Sequence, residues 1–352
     1  MKVSSCAVCT ALILSMIVSS SKAAEVIKLS YANFFPPMHK NSILGAQYCE
    51  EIKKQTQGRV EITYYPGGTL ATAPKVYDAV VTGVSDMGTS HVAYTRGRFP
   101  LTEINDLPLG FSSAYVATQV KTDFYNKFKP KEWDKVHVLY FHGPGPEIVY
   151  TIKKPVRKLE DMKGLKIRGV GRMADIVKAL GATPIPLEMA DMYEAMRRGV
   201  VDGAFVPMES LKGWKTGEIA RYATASWRAG TSTTFWVAMN KEKWNGLPAD
   251  VKKVFEEVSS EWRIKQANLW DAIDIEGAEF IKSYGGEVIW LQDDEAKRWE
   301  KAVQPVIREA GKDLLSKGFT QGEIDTGINF IRERADFWRK KSKEQGVVTL
   351  YH

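Results

Sequence analysis

The chain has 352 residues, 44% of them hydrophobic, with 28 glycines and a formal charge of +7. This composition suits a globular protein of about two ordinary domains and contains no tract biased enough for disorder. The basic residues are scattered rather than gathered in a stripe, which argues against a nucleic-acid partner.

The first segment, "MKVSSCAVCTALILSMIVSSSKAAEV", has Lys2, an apolar run from Ala7 to Val18 and small residues at Ala23 and Ala24. That order predicts a secretory signal peptide over 1–23, cleaved near Ala23 or Ala24, and hence a periplasmic protein. An apolar run of about a dozen residues is too short to span a bilayer, and no later segment is long and apolar enough to do so. Cleavage removes Lys2 and Lys22 and no acid, leaving a charge of about +5. It also removes Cys6 and Cys9, so Cys49 would stand alone as a small buried residue with no disulfide partner.

"VIKLSYANF" alternates as a strand and runs into the "FPPMHK" turn, where each residue before a proline is kept out of the helical region. "SILGAQYCEEIKKQT" has helical spacing and stops at Gly58, and "RVEITYYPGG" is a second strand. This strand, helix, strand opening predicts an α/β domain. An internal echo follows: "VYDAVVTGVSDMG", Val76–Gly88, aligns without gaps on "MYEAMRRGVVDGA", Met192–Ala204. In each copy a glycine, Gly83 or Gly199, can take the left-handed conformation that ends a helix. The valine after it is expected to feed a buried strand, and Asp86 and Asp202 to bond to the backbone of the turn. Two lobes of like construction with a cleft between them would produce this repeat.

Gly143 to Pro146, within "FHGPGPEIVYTIKKPVRKLEDMKG", and the stretch "RAGTSTTFWVAMN", Arg228–Asn240, are the candidate crossings between lobes. A long helix is expected from Pro248 to about Ser283, with Gly285 past its end, followed by two more helices that cover the hinge side.

"KGLKIRGVGRMADIVKALGATPIPLE" carries the dinucleotide spacing Gly169, Gly171, Ala174, with Glu188 following 19 residues after Gly169. The first strand of such a fold is a continuous apolar run, whereas "LKIR" alternates, and an exported protein would rarely meet a nicotinamide cofactor. Arg168 is the more informative residue. It ends a predicted strand, where ligands of open α/β sheets bind, and its guanidinium fork matches a carboxylate with two parallel bonds. No metal-ligand spacing appears among His39, His91, His137, His142 and His352, and "HGPG" has no nucleophile elbow to accompany it. An exported enzyme therefore remains an alternative without a motif.

Several segments together resemble the substrate-binding proteins of tripartite ATP-independent periplasmic (TRAP) transporters: "YANFFPPMHKNSILGAQYCEEIKKQTQGRVEITYYPGGTL", "VTGVSDMGTS", "DMKGLKIR", "LGATPIPLEMADMYEAMRRGVVDGAF" and "LKGW". The resemblance implies an α/β, two-lobed periplasmic-binding-protein-like fold, with two mixed sheets flanked by helices, a hinged cleft and long helices spanning the lobes. The lobes are expected at 24–145 plus about 232–270, and at 146–231 plus about 271–352. It also implies a receptor without catalysis or cofactor that hands an organic acid to membrane subunits. The long C-terminal helices leave a homodimer open beside a monomer. The family's carboxylate-binding Arg falls on Arg168. A second Arg found in sialic acid and ectoine receptors falls near Ile148, and their Asn falls on Val206, both apolar here. The remaining candidate lining is Phe34, Phe35, Tyr94, Phe205, Val206, Met208, Phe235 and Trp236, with Thr89, Ser90 and Thr231 for hydrogen bonds. This set suggests an aromatic or otherwise hydrophobic monocarboxylate in preference to a short 2-oxo or 2-hydroxy acid.

Overall fold

The computed structural model describes residues 25–351. The predicted signal segment lies outside these residues. The chain opens with β1 (Ile27–Asn33), α1 (Lys40–Gln55), β2 (Val60–Tyr65), α2 (Val76–Thr82) and β3 (Met87–His91). After α3 (Ala114–Phe128) and β4 (Val136–His142) it leaves this sheet through 143–146. A second sheet is then built from β5 (Glu147–Thr151), β6 (Lys166–Arg168), α4 (Arg172–Ala179), β7 (Thr183–Ile185), α5 (Met189–Arg197) and β8 (Gly203–Pro207). The short α6 (Ser210–Gly213) and β9 (Tyr222–Ala225) precede the return crossing to β10 (Phe235–Asn240). Helices α7 (Lys241–Gly246) and α8 (Ala249–Ser283), strand β11 (Glu287–Trp290), α9 (Asp293–Ser316) and α10 (Gln321–Glu344) complete the chain.

The first sheet has the order β2-β1-β3-β10-β4, with β10 antiparallel to both neighbours. The second has the order β11-β9-β5-β8-β6-β7, with β5 antiparallel to both of its neighbours. Removing β11 leaves the same pattern twice: three parallel strands, one antiparallel strand donated from the far side of a crossing, and a fifth strand. The echo in the sequence is thus one segment of a whole-lobe repeat. Its glycines cap the helices as expected, with φ of 77° at Gly83 and 70° at Gly199.

The strand after each valine is buried as expected, and one detail of the echo, the aspartate bonding, differs. Val84 and Val200 are exposed, because the left-handed glycine turns the next residue outward, and it is the residue after each, Ser85 or Val201, that is buried. The aspartates reach past the turn to the neighbouring parallel strand: Asp86 Oδ2 accepts from Ser30 N at 2.8 Å, and Asp202 Oδ2 from Lys166 N at 2.8 Å. A carboxylate at the start of β3 or β8 therefore fixes the register of β1 or β6 beside it.

Helix α8 packs against α1 and α3 and against the α6 segment, which follows the second sheet. Asp271 of α8 accepts from the first two amides of α3, at Ala114 (2.8 Å) and Tyr115 (2.9 Å). One turn on, Asp274 Oδ1 accepts from Glu209 N at 2.8 Å. Buried apolar residues fill a core on each side of the sheets, and Cys49 is buried in one of them as a free thiol. Among the described residues no helix is long and apolar enough to cross a membrane.

Candidate functional site

In both sheets the parallel strands point their C-terminal ends at the same region. Phe34 and Phe35 follow β1, His91 ends β3, Phe235 begins the antiparallel β10 and His142 ends β4. From the other sheet come Arg168 at the end of β6, Val206 near the end of β8, and Glu147 at the start of the antiparallel β5. These ends enclose a cavity of about 40 Å³, lined by residues that include Phe34, Phe35, His91, Glu147, Arg168, Val206 and Phe235. Phe34, Met189, Glu209 and Trp214 line both this cavity and a wider surface groove of about 950 Å³ outside it. These four side chains stand between the cavity and the groove.

Arg168 is 1% exposed. Its Nε donates to Leu187 O at 3.0 Å, and one Nη approaches Tyr94 Oη at 3.4 Å. Both acceptors are neutral, and no ion pair among the described residues includes Arg168. Tyr94 also accepts from Met189 N at 3.0 Å, so it ties the guanidinium to the start of α5. A buried cation without a counter-charge is costly, and here its polar contacts hold it in place without neutralising it.

The walls are aromatic and nearly parallel. Phe34 stacks on Phe35 with centroids 4.3 Å apart, and its plane lies within 19° of both Trp214 and Phe235, each at 6.3 Å. His142 lies on Phe235 at 5.1 Å, and its Nδ1 accepts from Trp270 Nε1 at 2.9 Å. That bond requires an unprotonated Nδ1, and burial, then Lys121, pushes His142 down to about 3. His91, stacked on Tyr94 at 4.0 Å, is held well below the ordinary histidine range by burial, then by Arg168 and His142. Neither ring adds a positive charge at neutral pH.

Of the residues singled out in the sequence, Phe34, Phe35, Arg168, Val206 and Phe235 line the cavity, and Tyr94 supports Arg168 from behind. The others do not line it. Phe205 and Trp236 are the neighbours of Val206 and Phe235 on their strands, and strand alternation sends them to opposite faces, into cores with Trp299 and Trp133 respectively. Met208 is buried behind β8, Ser90 Oγ donates to Ala73 O at 2.7 Å, and Thr89 and Thr231 are buried off the cavity. Ile148, at the place of the second Arg, packs in the core opposite Val206. Sequence reasoning passed over Glu147, Met189, Glu209, Trp214 and Trp270. The one signal for Glu147 was a lone acid heading the apolar run "EIVYT". The glycines of the dinucleotide spacing also have a physical role. Gly171, at φ 55° and ψ −131°, would bring a Cβ within 2.7 Å of Ala93 Cβ, so the absence of a side chain lets the loop after β6 touch the other lobe.

Burial around the site leads to a pH prediction. Burial pushes Glu147 up to about 8 and Asp271 to about 7, and also raises Asp106 and Asp274. A raised carboxyl stabilises the fold fully below its unfolded value, near pH 4, and that contribution is lost as pH rises through the folded value. The depressed histidines, His91, His142 and His137, act oppositely, losing their contribution as pH falls below about 6.5. The two groups oppose each other below about pH 6.5, and the acids act alone between there and about 8. With the cleft shut, the protein should therefore melt several degrees lower at pH 8 than at pH 6.5 in scanning calorimetry; a melting temperature that climbs over that interval contradicts this burial.

Comparison with known proteins agrees with this architecture. Residues 36–313 match the family described as "Bacterial extracellular solute-binding protein, family 7". A TRAP periplasmic solute-binding protein from Desulfovibrio salexigens is 33% identical, with a TM-score of 0.77 over 88% of this chain and 95% of that one. One from Bordetella bronchiseptica with bound (R)- and (S)-mandelate is 27% identical, with a TM-score of 0.81 over 89% of this chain and 99% of that one. The C4-dicarboxylate-binding periplasmic protein of Rhodobacter capsulatus is 26% identical over 306 residues, 84% of this chain and 90% of the relative. The chain belongs to family 7 of the bacterial extracellular solute-binding proteins, the TRAP receptors for small organic acids, which bind and deliver rather than catalyse.

Proposed function

We propose that this protein is a periplasmic receptor for an organic monocarboxylate, with an aromatic or other hydrophobic acid preferred over a short 2-oxo or 2-hydroxy acid. It passes this ligand to the membrane subunits of a TRAP transporter. The observation that carries the reading is Arg168: a buried guanidinium whose hydrogen bonds all go to neutral oxygens. A ligand carboxylate supplies the missing charge with two parallel bonds. The planes of Phe34, Trp214 and Phe235 offer flat apolar faces to the body behind it, which enters as the lobes part, because the cavity of about 40 Å³ is smaller than an aromatic ring. The mandelate held by the Bordetella relative has this form. A dicarboxylate such as the one bound by the Rhodobacter relative would need a second cation, and His91 is held neutral. The two lobes are taken as 24–145 plus about 232–270, and 146–231 plus about 271–352, closing by a hinge at the two crossings.

A thermal-shift screen of organic acids tests the preference, because a bound ligand raises the melting temperature by mass action. Aromatic monocarboxylates are expected to give the largest shifts. A screen in which only sugar acids or dicarboxylates shift the protein would overturn the reading.

A further inference from the structure

Glu147 is fully buried (0% exposed) and lines the same cavity as Arg168. Its backbone is fixed: the amide donates to Thr231 O at 2.9 Å, and its carbonyl lies 2.4 Å from where a Cβ on Gly230 would be. Its Oε1 accepts from Thr233 N at 2.9 Å and from the Thr233 hydroxyl. Its Oε2 has no partner among the described residues. Strand β8 separates it from Arg168: Glu147 pairs with Pro207 and Arg168 with Ala204, one strand to either side and three residues along. With strand spacings of about 4.8 Å and rises of about 3.3 Å, the two backbones stand roughly 14 Å apart. The odd offset starts the two side chains on opposite faces of the sheet, and both reach the cavity beyond the strand ends, so they approach a ligand there from different sides.

We propose that Glu147 is the second recognition group of the cleft, donating a hydrogen bond from Oε2 to a hydroxyl or carbonyl oxygen on the body of the bound acid. The ligand is then an oxygen-bearing aromatic or hydrophobic carboxylic acid rather than a bare one. This rests on the reading that Arg168 holds the carboxylate.

An ionised carboxylate can only accept, whereas the protonated acid keeps an acceptor for Thr233 and gains one donor. Burial favours the protonated form, pushing Glu147 up to about 8; the Thr233 bonds act in the other direction, and Asp106 adds to the rise. The other titratable groups facing it are Lys121, Asp274 and Tyr351, with Arg168, His91 and Glu209 also on the cavity wall. A buried donor left without an acceptor is costly, and an apolar side chain of similar size would serve a bare hydrocarbon ligand better. An acid with one satisfied and one free oxygen therefore fits a ligand that brings the missing acceptor.

The test is titration calorimetry with the matched pairs benzoate and 3-acetylbenzoate, and phenylacetate and 3-acetylphenylacetate, whose added carbonyl oxygen only accepts, at pH 6.5 and pH 9. The wild type is expected to favour the carbonyl-bearing member of a pair by about tenfold at pH 6.5, the scale of one net hydrogen bond, and by less at pH 9, where an ionised Glu147 has no proton to donate. E147L should abolish the preference. E147Q, which keeps an acceptor for Thr233 and always carries a donor, should keep the preference and remove its fall at high pH. A purely structural role for Glu147 would shift both members of a pair together and leave their ratio unchanged. Acids that bind the wild type without preference, or a preference that E147L retains, overturn this inference alone. Failure of every carboxylic acid to bind overturns the receptor reading with it.

Discussion

Replacing Arg168 with Ala is expected to weaken binding of the native acid by about 3 kcal/mol or more, a loss above a hundredfold in titration calorimetry. The size follows from burial. The ligand carboxylate would enter a buried chamber whose histidine, His91, is held neutral and whose cationic contact has been deleted. An unpaired buried charge costs far more than the 0 to 1 kcal/mol of a surface ion pair. Arg168→Lys keeps the charge and loses the planar fork and the fixed bonds to Leu187 O and Tyr94 Oη, so it should fall between wild type and Ala. The ligand-free R168A protein should lose less stability than the removal of a buried ion-pair partner would cost, because no ion pair among the described residues includes the guanidinium and only the bonds to Leu187 O and Tyr94 Oη are lost. Unchanged affinity in R168A would remove the basis of the functional assignment.

Gly277→Ala is expected to destabilise the protein by about 3 kcal/mol net, with a melting temperature roughly 5 °C lower. In an ordinary helix interior this substitution would stabilise by about 1 kcal/mol. Here the opposite sign wins, because a Cβ on Gly277 would lie 2.1 Å from Met208 O and 3.0 Å from Glu209 Cα, backbone atoms that cannot rotate away. Helix α8 would have to move off the loop after β8, straining the Asp274 to Glu209 bond and displacing Glu209 and Ser210 from the cavity wall. Gly311→Ala in α9 is the control: its Cβ would meet nothing closer than Ile324 Cγ2 at 3.9 Å, so it should show the usual small gain. Thermal unfolding of the two variants side by side checks the sign, and a neutral or stabilising G277A would show that α8 does not pack in this way.

The local features were legible in the sequence because local chemistry sets them. The opening β1, α1 and β2, the limits of α8 and the left-handed Gly83 and Gly199 follow from periodicity and caps. The alternation of "LKIR" placed Arg168 at a strand end, and it lies there. What sequence reasoning missed depends on contacts distant along the chain. Whether Phe235 or Trp236 faces the cavity is decided by which side of β10 meets α8 and which meets the core around Trp133. Trp214, Trp270 and Glu147 reach the chamber from segments far apart in sequence, and Glu147 also depended on β5 running antiparallel to its neighbours. The reason for Gly171 lies in Ala93, on the other lobe, and no spacing rule could contain it.

The solitary guanidinium also bears on the economy of uptake. Shutting the cleft around it without a guest strands a positive head in a nonpolar enclosure, a penalty of several kcal/mol. Each 1.4 kcal/mol of that penalty makes the vacant shut form about ten times scarcer. The membrane machinery, meeting receptors at random, would thus encounter the shut shape almost always with cargo inside, so that shape alone reports occupancy and a pumping cycle is seldom wasted.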